Sequence, residues 1–228
     1  MRVLHLASWH PNKVHSQLGN FVRRHIEAVS TEVQGTVLHV WPAPAAVNDR
    51  GAAEGSIVSA GDTSTRVAYV RDKAPRRWRT ERAYMRLIRG LRADGFMPDV
   101  VHLHIAAEAA RPAMRAAALW SVPLVVSENW TAYHAEHGRS FRANEERAVR
   151  TVLPAASMHL PVSKHLGIAM ARYAPGMEQR VIPNVVDGRF DLPLEPRAGA
   201  GPLRLLHVSS MVDAHKDIRG MIRAVGDA

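Results

Sequence analysis

V-I-P-N-V-V-D-G-R-F (Val181–Phe190) runs into D-L-P-L-E-P-R-A-G-A-G-P (Asp191–Pro202) and then into L-R-L-L-H-V-S-S-M-V-D-A-H-K (Leu203–Lys216). A short apolar run broken by Pro183 gives way to a tract dense in Pro, Gly and Ala. A new buried-strand pattern then spans Leu203 to Val208 and leads into a helix-like segment. One domain closes here and another opens. The expected organisation is a large domain over residues 1–190, a linker over 191–202, and the beginning of a second, incomplete domain over 203–228.

Upstream of this crossing, strand and helix patterns alternate. Apolar runs predict strands near Val3, Val37, Val101, Val125 and Leu160, with a further candidate over Arg66 to Val70. Between them, Phe21, Val22, Ile26 and Val29 recur at helical spacing, as do Tyr84, Leu87, Ile88 and Leu91. Ala106 to Trp120, Arg142 to Val152 and Lys164 to Tyr173 read as further helices, the last capped by Ser163. Pro42 to Ser64 shows no sustained periodicity and reads as a loop. The alternation predicts an α/β fold with a mostly parallel sheet and helices on both faces.

With 228 residues and 46% hydrophobic content the chain can bury a sizeable core. It has no Cys, which excludes disulfides, a thiolate nucleophile and Cys-ligated zinc. Its start, M-R-V-L-H-L-A-S-W, is too short an apolar run for a secretory signal, so a cytoplasmic protein is expected. The formal charge of +9 is concentrated: Arg71 to Arg92 holds nine Arg or Lys against Asp72 and Glu81, a local +7. That distribution points to one positive face for phosphate, acidic glycan or anionic lipid and away from nucleic acid. Within it Arg79, Arg82, Arg86 and Arg89 form a stripe at helical spacing.

Several chemistries are absent by motif: there is no P-loop, no G-x-S-x-G elbow, no G-x-G-x-x-G and no D-x-D pair. Gly19, just ahead of a helix, reads either as a turn residue or as a point where a ligand meets main-chain N–H groups. Alternation puts His102 and His104 of D-V-V-H-L-H on one face of a strand. No H-E-x-x-H and no third ligand at suitable spacing accompanies them, so no metal is expected. His134 and His137 read as solvated loop residues.

The motifs S-W-H-P … L-G-N-F-V, V-V-H-L-H, P-L-V-V-S-E-N-W-T-A-Y, P-V-S-K, V-I-P-N-V-V-D and L-L-H-V-S-S … H-K occur in the order found in retaining glycosyltransferases of family 4. The chain resembles that family over nearly its whole length. The resemblance implies a GT-B fold, with a Rossmann-like N-terminal domain followed by a truncated start of a second. It implies transfer of a sugar from a nucleotide-sugar donor to a glycan or lipid-linked acceptor, with retention, in cell-envelope polysaccharide biosynthesis, without metal or other cofactor. By the same resemblance Gly19, Asn20, Ser210 and Lys216 bind the donor, and His104, Glu128 and Asn129 line the reacting centre. The arginine stripe would face the acceptor or an anionic membrane.

Two positions depart from the family pattern. Asn129 stands where a His is common, and Asn cannot exchange a proton near neutral pH. Ser210 stands where many members carry Arg. These departures keep a second function class open, a non-catalytic glycan-, lipid- or partner-binding module. As it stands, the 228-residue chain is expected not to turn over.

Overall fold

The computed structural model describes residues 1–43, 55–60, 63–134, 140–186, 205–209 and 213–226. These fall in two compact units, Met1–Asp187 and Gly188–Ala228.

In the first unit, seven strands form one sheet: β1 (Arg2–Ala7), β2 (Gln34–Ala43), β3 (Gly55–Ala60), β4 (Thr63–Arg71), β5 (Val100–His104), β6 (Leu124–Glu128) and β7 (Met158–Pro161). Their spatial order is β3-β4-β2-β1-β5-β6-β7. All neighbours pair in parallel except β3, which runs antiparallel to β4 at the edge. The helices are α1 (Asn20–Val29), α2 (Arg76–Ala93), α3 (Ala110–Trp120), α4 (Ala143–Val152) and α5 (Lys164–Ala171). Beyond Gln179, which bridges to His159, the chain runs beside β7: Arg180 donates to the His159 carbonyl and Ile182 to that of Pro161.

The strands predicted near Val3, Val37, Val101, Val125 and Leu160 are all present, and Val100–His104 lies in the interior between β1 and β6. The segment read as a loop differs. Its residues 55–60 form β3 and Thr63 already belongs to β4, while residues 44–54 and 61–62 lie outside those described. The strand G-S-I-V-S-A has too little apolar alternation to show, although Gly61-Asp62 after it is a hairpin signal.

Chain order reverses direction between β1 and β5. β1, β2 and β4 proceed one way across the sheet, and β5, β6 and β7 the other. A crevice at the carboxyl ends of strands is expected at such a switch point, because the loops leaving β1 and β5 diverge there. On one face Leu4, Leu6, Leu38, Val101, Leu103 and Val126 are buried at 0–3% exposure and build the core. α2 lies against β2 and β4 on that side, with Ala83, Tyr84, Ile88 and Leu91 inward as their spacing predicts.

In the second unit the buried strand expected over Leu203 to Val208 is not formed by its described residues. Residues 205–209 carry no strand, and Leu206 and Val208 are 89% and 84% exposed. A single strand without a ladder partner gains neither hydrogen bonds nor burial, and the described residues of this unit supply no partner. Its helices are α6 (Asp213–Lys216) and α7 (Ile218–Gly226).

Candidate active site

Ser8, directly after β1, ties the switch point together. Its N–H donates to the His104 carbonyl at 3.1 Å. Its Oγ donates to the Ile105 carbonyl at 2.8 Å and accepts from Ala109 N at 3.1 Å. Ile105, which leaves β5 here, has φ 66°. A β-branched residue with positive φ is strained, so the turn beyond His104 is held by its surroundings. Asn12 organises the preceding loop by accepting from Val14 N and His15 N at 2.9 and 3.0 Å.

Glu128, at the end of β6, is fully buried. Its oxygens accept from Ala106 N (3.0 Å), Asn129 N (2.9 Å), Trp130 N (3.1 Å) and Tyr133 Oη (3.0 Å). Burial pushes its carboxyl above the usual range, and these donors oppose that shift. Every neighbour being a donor, the site accommodates the carboxylate. This corrects the expectation that Glu128 lines the reacting centre: it has no open face and instead clamps the loop after β5 to the loop after β6.

His104 and Asn129 do come together. With Val22 and His25 of α1, Ile105, Ser127, Leu160 and Ile182 they line one narrow cleft. At its mouth Asn129 Nδ2 donates to Asn184 Oδ1 at 2.8 Å, and His25 Nε2 stands 3.3 Å from the same oxygen. Asn184 belongs to the I-P-N-V-V-D motif, so that motif borders the cleft.

Under α1 the sheet face is rich in histidine. His5 Nδ1 lies 3.1 Å from His104 Nε2, and His102 Nε2 lies 2.8 Å from Ser127 Oγ. Burial, reinforced by the neighbouring imidazoles, holds His5 and His104 well below the usual histidine range, and burial takes His102 down to about 4. His39 of β2, whose Nδ1 pairs with the Ala7 carbonyl at 2.9 Å, is pushed by burial down to about 3.

Gly19 is buried, with φ 59°, and caps α1. A Cβ there would stand 2.6 Å from the Trp9 carbonyl carbon and oxygen. Trp9 thus occupies the space a Cβ would take, and with the positive φ this accounts for glycine at the position. Asn20 Oδ1 accepts from Arg23 Nε and Nη2 at 3.1 and 2.8 Å, an interaction within the first turn. On the other flank of α1 a groove of about 360 Å³ is lined by His10, Lys13, Arg23, Glu27, Thr65 and Tyr69, among others.

A model of glycosyltransferase family 4 matches residues 22–189. The chain belongs to this family. Among solved structures, this family-4 chain is similar to Arabidopsis thaliana UGT89C1 complexed with UDP-L-rhamnose, with a TM-score of 0.54 and 12% identity over 86% of this chain and 53% of that one. The same protein complexed with UDP gives a TM-score of 0.53 and 12% identity over 80% and 52%. Sucrose-phosphate synthase from Thermosynechococcus elongatus gives 0.51 and 10% identity over 81% and 90%. At these identities the likeness is one of fold, and the fold of Met1–Asp187 is the Rossmann-like domain of the GT-B class. The family-4 chain spans about half the length of UGT89C1. No curated protein matches it by sequence.

Ser210 is outside the described residues, as is His137. Lys216 is exposed at the end of α6 in the second unit. His134 is not solvated: it is 7% exposed and stacks on His165 at 4.1 Å, because the short turn Thr131–Tyr133 folds it inward.

The arginine stripe divides. Arg79, Arg82 and Arg86 line a groove of about 340 Å³ between β4 and α2 together with Arg71, Trp78 and Leu87, whereas Arg89 is exposed outside it. Arg82 lies over the Trp78 ring at 5.0 Å, and Arg79 Nε is buried without a hydrogen-bond partner. Among the described residues no carboxylate pairs with Arg71, Arg79, Arg82 or Arg86. No described helix is long and apolar enough to cross a membrane.

Sequence reasoning missed His5, His25 and Asn184 as neighbours of His104. His5 is the in-register partner of His102 on β1, a relation invisible before strand order is known. The position of Asn184 in a motif already singled out was the one usable signal.

Proposed function

We propose that this chain is the acceptor-side portion of a retaining hexosyltransferase, which moves a sugar from a nucleotide-sugar donor to a glycan or lipid-linked acceptor in cell-envelope polysaccharide synthesis. The observation that carries the reading is the cleft at the β1–β5 switch point, where His104, His25, Asn129 and Asn184 converge in a family-4 domain. Imidazoles and carboxamides offer directed hydrogen bonds to sugar hydroxyls. Transfer requires no metal: charge on the leaving diphosphate is met by cations such as Lys216, with Ser210 nearby in sequence, and by oriented main-chain dipoles. The 360 Å³ groove beside α1 gives an acceptor room.

The protein works in the cytoplasm, at the inner face of the membrane. Its arginine groove, with no carboxylate partner among the described residues, supports contact with anionic headgroups or an acidic acceptor. Electrostatic attraction of about 1 kcal/mol per basic residue makes this a peripheral contact.

A second reading, a non-catalytic glycan- or partner-binding module, is favoured by two observations. Glu128 is sealed and Asn129 cannot carry a proton, so the two polar residues that end β6 and follow it supply no acid or base to the cleft. A radiolabelled panel of UDP-, GDP- and ADP-sugars decides between them, offered to the 228-residue chain and to a version extended by a further domain of about 150 residues. Metal-independent transfer by the extended version alone is expected. Tight donor binding without transfer by the extended version would establish the binding module, and robust transfer by the short chain would overturn the requirement for a second domain.

A further inference from the structure

We propose that His5, His102 and His104 form a binding site for a zinc-like divalent cation on the sheet face beneath α1. Alternation along β5 puts His102 and His104 on one face, and β1 pairs in register so that His5 stands opposite His102 on that same face. One ligand atom from each of the three side chains lies within 4.8 Å of the others. His5 Nδ1 and His104 Nε2 are 3.1 Å apart. Two nitrogens bound at about 2.0–2.1 Å to one ion stand roughly 3.0–3.4 Å from each other, so this pair already has the spacing of two ligands. His102 is half-buried and held by its contact to Ser127 Oγ.

The donor set selects the ion. Three imidazoles suit zinc and its borderline neighbours, whereas Mg²⁺ and Ca²⁺ require oxygen ligands, and no carboxylate joins the cluster. Ser127 Oγ is a polar partner of the kind that orients a metal-bound imidazole from behind. The cleft lined by His25, His104, Ser127 and Asn129 adjoins the cluster through His104.

The site does not serve the proposed transfer. An ion seated there engages His104 and removes it from the cleft, so zinc inhibits. The inference stands apart from the transferase reading, because its test reads metal alone.

The tag-free 228-residue chain is titrated with Co²⁺ by visible absorption and then with Zn²⁺ in competition. One Co²⁺ per chain with tetrahedral ligand-field bands, displaced by Zn²⁺, is expected. His102→Ala, at the half-buried member of the trio, is expected to weaken binding by more than about tenfold, while His15→Ala at the exposed loop leaves it unchanged. Should His102→Ala fail to fold, histidine ring signals in the wild-type NMR spectrum decide: saturating Zn²⁺ is expected to shift those of His5, His102 and His104 together. Absence of stoichiometric uptake, equal uptake by His102→Ala, or shifts confined to exposed histidines would each overturn the site and leave the trio as a hydrogen-bonded chain of neutral imidazoles.

Discussion

The two faces of the sheet are built from the same strands and differ in kind. On one, Leu4, Leu6, Leu38, Val101 and Leu103 make a mainly apolar core; on the other, the alternate residues of the same strands include His5, His39, His102 and His104. Strands buried on both faces of a parallel sheet ordinarily read as continuous apolar runs. Here each histidine instead interrupts the run and must find a partner, since an unpaired buried polar group costs about 1–3 kcal/mol. The apolar face therefore supplies stability that tolerates change in shape, whereas the polar face depends on each bond being made.

The sharpest way to test that dependence on made bonds is to remove the buried acceptor at the carboxyl end of β6, which the leucine face itself carries. Glu128→Ala strands three main-chain donors and the Tyr133 hydroxyl. At about 1–3 kcal/mol for each buried donor, the expected loss exceeds about 4 kcal/mol in urea denaturation. Leu103→Ala, fully buried and on the same face of the sheet as Glu128, is expected to cost about 2–5 kcal/mol with the cleft intact. A smaller loss for Glu128→Ala than for Leu103→Ala would show that water enters and satisfies the stranded donors, and the dependence of buried polar groups on each bond being made would fail.

Acid sharpens the comparison from the histidine side. His39 is faced by His10 and Asn12 from the loop after β1, by the Trp41 ring and by the Ala7 carbonyl. Its folded pKa, about 3, lies below the unfolded value of 6.5, so the unfolded chain binds the proton first. The stability contribution is complete above pH 6.5 and is lost as pH falls from there toward 3. The slope is at most about 1.4 kcal/mol per pH unit for one group, giving on the order of 2 kcal/mol by pH 5. Thermal unfolding of wild type and His39→Leu across pH 5–8 checks this. The variant should be less pH-sensitive, and parallel curves would remove His39 from the account.

Legibility in the sequence divides along the same line. V-L-H-L-A and V-V-H-L-H announce their strands through Val and Leu, and the helical spacing of Tyr84, Ile88 and Leu91 fixes the buried side of α2, because hydrophobic periodicity is a local property. What the polar residues do depends on strand order and on neighbours distant in the chain. Glu128 looks like a site carboxylate until its donors are counted, and the need for glycine at Gly19 is seen only when Trp9 is found against it. His5 has no visible link to His102 until β1 and β5 are adjacent. The segment over residues 205–209 shows the converse limit: an apolar pattern marks a strand only where a partner exists to complete it.

The smallest expected effect on folding lies at the outer edge of the apolar face, where Arg71, Arg79, Arg82 and Arg86 share a groove with no carboxylate among the described residues. Replacing Arg79, Arg82, Arg86 and Arg89 by Gln removes like charges that repel and breaks no described ion pair. Loss of the Arg82–Trp78 contact costs about 0.5–1 kcal/mol, so stability should fall by no more than about 1 kcal/mol. Binding should respond more. Four basic residues near an anionic surface supply about 4 kcal/mol, which corresponds to roughly millimolar affinity, enough to enrich the protein at a membrane without anchoring it. Sedimentation with anionic liposomes at low salt should fall to the level seen with neutral liposomes in the fourfold variant, and wild-type binding should fade as salt shortens the screening length. Because Arg89 lies outside the groove, Arg89→Gln alone should matter less than Arg79→Gln. Equal effects of the two would mean that the helix acts as a diffuse charged surface and that the groove contributes nothing of its own, and unchanged sedimentation of the fourfold variant would remove the membrane contact altogether.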